Sequence, residues 1–215
     1  MKKAKVALIT GLTWGLTVPV ALSAFSVTWQ SKRTLIFRED WKEIPAEIPV
    51  TQDHVANPQL RLYRYGTSAD RIKKSNHPEI PNDPFYVWSG ECDGTWAVTL
   101  SLNDGRPVDL SEGVIRWRSR QSGGHSLRVL IRLPDGRFFV SDQGDDRSDD
   151  WHVHEFVAEE LTWREVDLNS FQLAPETGLP DLKQVWEIGF TDLKAGRGSD
   201  YSSRVDWIEV LGSNN

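Results

Sequence analysis

From Phe85 onward the large apolar side chains return at every second residue, and that period limits what the chain can become. Trp96, Val98, Leu100 and Leu102 alternate with Thr95, Ala97, Thr99 and Ser101, which places the bulky set on one face of a strand and the small set on the other. Leu127, Val129, Ile131 and Leu133 are interleaved with Arg128 and Arg132, and Pro134-Asp135-Gly136 then supplies the turn of a hairpin into 137–141. Further strands are expected at 114–118, 153–157, 163–168, 185–190 and 204–211. After residue 32 no helical apolar stripe persists beyond about two turns, so helices should be short and peripheral. Many short strands separated by turn signals predict an all-β, antiparallel β-sandwich of jelly-roll type.

A chain of 215 residues is long enough for one large domain. Its ten tryptophans imply an aromatic interior. The lone Cys92 excludes an intrachain disulfide and any multi-cysteine metal centre. The formal charge is −6, and removing Lys2, Lys3 and Lys5 from the count leaves −9 for the rest. Such an acidic body repels phosphate backbones, which argues against nucleic acid as a partner.

Between Lys5 and Lys32 lie 26 consecutive residues without a charge. A bilayer core needs roughly 20 apolar residues, so residues 1–31 are expected to form a transmembrane anchor, with Trp14 inside the run and Trp29 placed as an interfacial anchor. The lysines ahead of it predict a cytoplasmic N-terminus and a body on the periplasmic or extracytoplasmic side. The small residues of Ala21-Leu22-Ser23-Ala24 also fit a cleaved secretory signal, and either reading exports the body. Residues 32–84 form a proline-rich, extended segment with one or two strands, at 34–37 and 60–65, and residues 85–212 form the sandwich core.

The order of pieces after Phe85 resembles the galactose-binding-like jelly roll, and in particular the complex I intermediate-associated (assembly factor) family and its carbohydrate-binding-module relatives. The resemblance is carried by Val108-Asp109-Leu110-Ser111 before Val114-Ile115-Arg116-Trp117-Arg118, by Trp163-Arg164-Glu165-Val166-Asp167-Leu168, by Val185-Trp186-Glu187-Ile188-Gly189-Phe190, and by Val205-Asp206-Trp207-Ile208-Glu209-Val210. These strings are core pattern, so they speak to architecture more than to activity. The resemblance further implies a structural calcium joining the first strand to the last, for which Glu39, Asp40 and Asp206 stand at similar places. No other cofactor is expected.

Catalytic signatures are not found. There is no Gly-x-Ser-x-Gly elbow, Cys92 has no indicated base, and Gly196 and Gly198 sit in a loop without a following helix. His152 and His154 share one face of a strand, a spacing that binds a metal only if a third ligand arrives, and the residues read instead as a polar strand face. Asp142, Asp145, Asp146, Asp149 and Asp150 crowd one loop that could wrap calcium but reads as a solvated acidic turn. Planar rings at strand ends can stack on a pyranose, and Trp88, Trp151 and Tyr201 are the candidates. Trp96, Trp117, Trp163, Trp186 and Trp207 lie inside strands and are assigned to the core.

Two functions follow as expectations, with a sugar-active hydrolase a distant third. The first is a non-catalytic accessory subunit, held in the membrane beside integral membrane subunits of a larger complex, respiratory or photosynthetic. The alternative is a cell-surface carbohydrate-binding module.

Overall fold

A computed structural model describes residues 33–170, 172–175 and 179–212. The apolar run with Trp14 and Trp29 lies outside the described residues; among those described, no helix is long and apolar enough to cross a membrane.

Among the described residues, thirteen strands form two antiparallel sheets. They are β1 (Thr34–Glu39), β2 (Leu60–Tyr65), β3 (Lys73–Ser75), β4 (Tyr86–Trp88), β5 (Ala97–Leu102), β6 (Val114–Gln121), β7 (Leu127–Arg132), β8 (Phe138–Asp145), β9 (His152–Val157), β10 (Trp163–Asp167), β11 (Gln172–Leu173), β12 (Glu187–Thr191) and β13 (Ser203–Gly212). The six-stranded sheet runs β3-β4-β13-β6-β9, with β1 also paired to β13; the seven-stranded sheet runs β11-β10-β8-β7-β12-β5-β2. The helical content described is three short 3-10 turns. The proline-rich segment supplies β1, β2 and β3, so it enters both sheets.

Alternation on β6 shows how the sequence builds the layers. Ile115, Trp117, Ser119 and Gln121 are buried between the sheets, while Arg116, Arg118 and Arg120 face outward. Trp117 meets Phe156 at 4.8 Å and Phe190 at 6.2 Å, and Phe190 meets Trp96 at 6.2 Å, so the rings link both sheets through one apolar interior. A buried indole also needs an acceptor. Trp117 Nε1 donates to Asp145 at 2.9 Å and Trp96 Nε1 to Asp192 at 2.9 Å. Trp163 donates to the Ala158 carbonyl and Trp41 to that of Val205.

Trp186 and Trp207 depart from the core assignment. Trp186 stands just ahead of β12 and is 38% exposed. On β13 the register shifts between Val205 and Trp207, and this bulge turns Trp207 to the outer face, where the Arg38 guanidinium lies 4.1 Å from its ring centroid.

A second apolar cluster covers the outer face of the seven-stranded sheet. Ala97, Leu130, Val140, Val166 and Leu168 are buried there, flanked by Tyr65, Phe138 and Leu193. The small alternate residues of β5 are therefore as buried as the large ones.

Candidate functional site

A cleft with a volume of about 610 Å³ opens where β6 ends and β9 and β13 begin. That size suits a ligand pocket. Its walls come from the segments joining β3 to β4, β6 to β7, β8 to β9 and β12 to β13.

Tyr86, Trp151 and Tyr201 give the cleft its aromatic lining. Tyr86 and Trp151 lie 5.3 Å apart at 60°, and the Arg118 guanidinium sits 5.4 Å from the Trp151 centroid. The Trp151 backbone N–H donates to its neighbour Asp150 at 2.7 Å. Tyr201 is 52% exposed and rests against Gly123, whose φ is +65°. A Cβ at Gly123 would come within 2.4 Å of the Tyr201 ring, so glycine at this turn sets the ring's position.

Polar groups complete the walls. Arg120, Arg147 and Arg204 oppose Asp83, Asp149 and Asp200, so the charges balance. Arg204 is fixed by bonds from its guanidinium to Ser122 Oγ at 3.2 Å and the Ser199 carbonyl at 3.0 Å. Burial lowers its pKa from the ordinary arginine value. Asp83 accepts the His77 backbone N–H at 2.7 Å and lies 3.0 Å from His77 Nδ1, which also contacts the Tyr86 hydroxyl at 3.2 Å. Burial raises the Tyr86 phenol's pKa, so it stays a neutral hydroxyl at physiological pH.

Of the three aromatic residues named from the sequence, the structure brings Trp151 and Tyr201 to this cleft and leaves Trp88 outside its lining. Trp88 donates from Nε1 to Ser202 Oγ at 2.8 Å, packs against Gly90, and has the Lys73 ammonium 5.5 Å from its ring centroid. Tyr86, Arg120 and Arg204 were missed. Arg116, Arg118 and Arg120 alternate along β6, and that row was the available signal for Arg120. Nothing local marks Tyr86 or Arg204, because their strands meet only through long-range pairing.

The three carboxylates named for calcium are each committed to protein partners. Glu39 is fully buried and accepts backbone N–H groups of Trp41 at 2.8 Å, Ala56 at 2.7 Å and Asn57 at 3.0 Å. Desolvation nevertheless raises its pKa. Asp40 pairs with Arg38 at 2.7 Å, and Asp206 with Arg118 at 2.7 Å. The group of described residues that does converge as ligands is Asp145, His152 and His154. The acidic loop therefore splits: Asp145 turns inward, Asp142 pairs with Arg164 at 3.0 Å, and Asp149 lines the cleft.

No protein-family model matches the chain, that of the complex I intermediate-associated proteins included, and no curated protein matches it. Among solved structures, the chain is similar to a family 11 carbohydrate-binding module from Clostridium thermocellum, in complex with a β-1,3-1,4-mixed-linked tetrasaccharide, at 17% identity over 80% of this chain and 98% of that one, with a TM-score of 0.45. A family 29 carbohydrate-binding module from Piromyces equi is similar at 13% identity over 86% and 93% of the two chains, with a TM-score of 0.46. PfGH50B matches over 72% of this chain and 23% of its own length, at 14% identity and a TM-score of 0.41.

Proposed function

We propose that this chain is a non-catalytic carbohydrate-binding module whose ligand lies in the cleft of Tyr86, Trp151 and Tyr201. The observation that carries the reading is the joining of aromatic rings to balanced arginine and aspartate side chains in one open, sugar-sized cleft. A ring face covers the apolar face of a pyranose, and paired donors and acceptors fix its hydroxyls. Trp151 and Tyr201 supply the stacking surfaces. Arg120 and Arg204 donate; Asp149 and Asp200 accept. The charge balance suits neutral sugars better than a polyanion.

The accessory-subunit reading rests on the apolar N-terminal run and on the assembly-factor resemblance, which no family model supports, whereas the cleft's chemistry rests on described side chains. The extracytoplasmic address belongs to the proposal, since three lysines precede that run. Mass spectrometry of the mature protein distinguishes an anchor from a cleaved signal.

A glycan array probed with the full chain tests the function, followed by titration of the best ligand. Trp151→Ala and Tyr201→Ala are each expected to weaken binding about tenfold, the size of one lost aromatic contact. Trp88→Ala, outside the lining, should leave affinity close to wild type. Binding to no glycan, or equal affinity in the Trp151 variant, rejects the reading.

A further inference from the structure

Asp145 sits at the end of β8 with 1% of its side chain exposed, facing two imidazoles on edge strand β9 of the opposite sheet. His152 Nε2 lies 2.7 Å from Asp145 Oδ1, and His154 Nδ1 lies 3.7 Å from the same oxygen. One ligand atom from each residue falls within 4.8 Å of the other two. We propose that Asp145, His152 and His154 form a binding site for a divalent transition metal of the zinc class, pinning edge strand β9 to β8 across the sandwich.

Two features support a metal over a hydrogen-bonded cluster. First, zinc bonds of about 2.0–2.1 Å in a tetrahedral site separate adjacent ligand atoms by roughly 3.3 Å. The observed 2.7 and 3.7 Å straddle that value, so small side-chain rotations complete the geometry. Second, the carboxylate is already oriented. Its Oδ2 accepts from Trp117 Nε1 at 2.9 Å, from Gln121 Nε2 at 3.2 Å and from the Ser119 hydroxyl, which leaves Oδ1 for the imidazoles. Outer partners of this kind fix a metal ligand's direction.

The donor set selects the ion. Two neutral imidazoles and one carboxylate suit Zn²⁺, Co²⁺ or Ni²⁺, whereas Ca²⁺ and Mg²⁺ prefer shells of oxygen. The histidine side chains are 34% and 37% exposed, so water can reach the ion and take the remaining position. Trp151 precedes His152 directly and points into the sugar cleft, and Gln121 touches both Asp145 and that cleft. An ion here would hold the cleft's floor, although the site does not depend on a sugar being the ligand.

Zn²⁺ and Co²⁺ titrations of the metal-stripped full chain, by calorimetry and by the visible absorption of Co²⁺, provide the test. The expected result is one ion per chain, a thermal midpoint raised by Zn²⁺ and restored by chelator, and no response to Ca²⁺ or Mg²⁺. His152→Gln and His154→Gln should each weaken Zn²⁺ at least tenfold while their circular dichroism stays that of wild type. Since Asp145 also anchors the interior, the histidine variants carry the test and Asp145→Asn only supplements it. Absence of saturable binding at millimolar Zn²⁺, a preference for Ca²⁺, or undiminished affinity in both histidine variants overturns the assignment.

Discussion

Arg132→Met is expected to lower the free energy of unfolding at pH 7 by about 3 kcal/mol, because it strands a buried carboxylate. Glu187 is 1% exposed although it points to the outer face of the seven-stranded sheet, and Arg132 is its cationic partner at 2.6 Å. The Tyr65 hydroxyl, at 2.9 Å, and the Thr99 hydroxyl, at 2.5 Å, complete its hydrogen bonds. Burial and the nearby Glu187 charge push the Tyr65 phenol's pKa upward, so it remains a donor across the working range. Hydroxyls alone do not neutralise an ion held away from water. Urea unfolding of the single variant and of Arg132→Met/Glu187→Met measures the effect, and the double variant should recover most of the loss. A single variant as stable as wild type would show that the pair contributes nothing.

Lys74→Met is expected to act in the opposite direction, raising stability at pH 7 by about 2–3 kcal/mol. Lys74 is fully buried on β3, and its Nζ has no hydrogen-bond partner. Its closest compensation is the Phe85 ring, 4.4 Å from Nζ to the centroid. Desolvation lowers the ammonium's pKa to about 8 from 10.5, with Glu43 opposing the shift. The unfolded chain thus binds more protons than the folded one between about pH 8 and 10.5, so wild-type stability rises with pH across that window. Below pH 8 the whole penalty is present. Replacing the ammonium with an apolar side chain of similar length removes it. Thermal unfolding of both proteins from pH 7 to 10.5 checks the sign: the variant's advantage should be greatest at pH 7 and shrink as pH rises.

How far the fold could be read in advance depended on how local each signal was. Trp96, Val98 and Leu100 announce β5 because side chains two apart share a face whatever lies beyond them. The hairpin of β7 and β8 was legible for the same reason, its turn being written in three consecutive residues. Trp207 was not. One extra residue between Val205 and Trp207 reverses every later side chain of β13, and that bulge exists only because β6 is the neighbour. The three-residue strands β3 and β4 were missed too, since neither is long enough to show a period.

The candidate site follows the same rule. Trp151 and Tyr201 could be named because rings at strand ends and loops can serve as sugar platforms, a ground that also named Trp88, which lies outside the cleft. Their meeting with Tyr86 and Arg204 could not, because four separate connecting segments must converge to make the cleft. His152 and His154 were recognised as sharing a face, but the third ligand arrives from β8, a strand of the other sheet. A carboxylate in an aspartate-rich loop gives no sign of which member will turn inward.

By itself, then, the order of residues determined the strand class, the aromatic interior and the absence of a disulfide framework, because periodicity and composition act over a few residues at a time. Only the tertiary structure decided which face each tryptophan takes, which aspartate is buried and which rings share a cleft. Those outcomes depend on strand register and sheet pairing, set by contacts between segments dozens of residues apart.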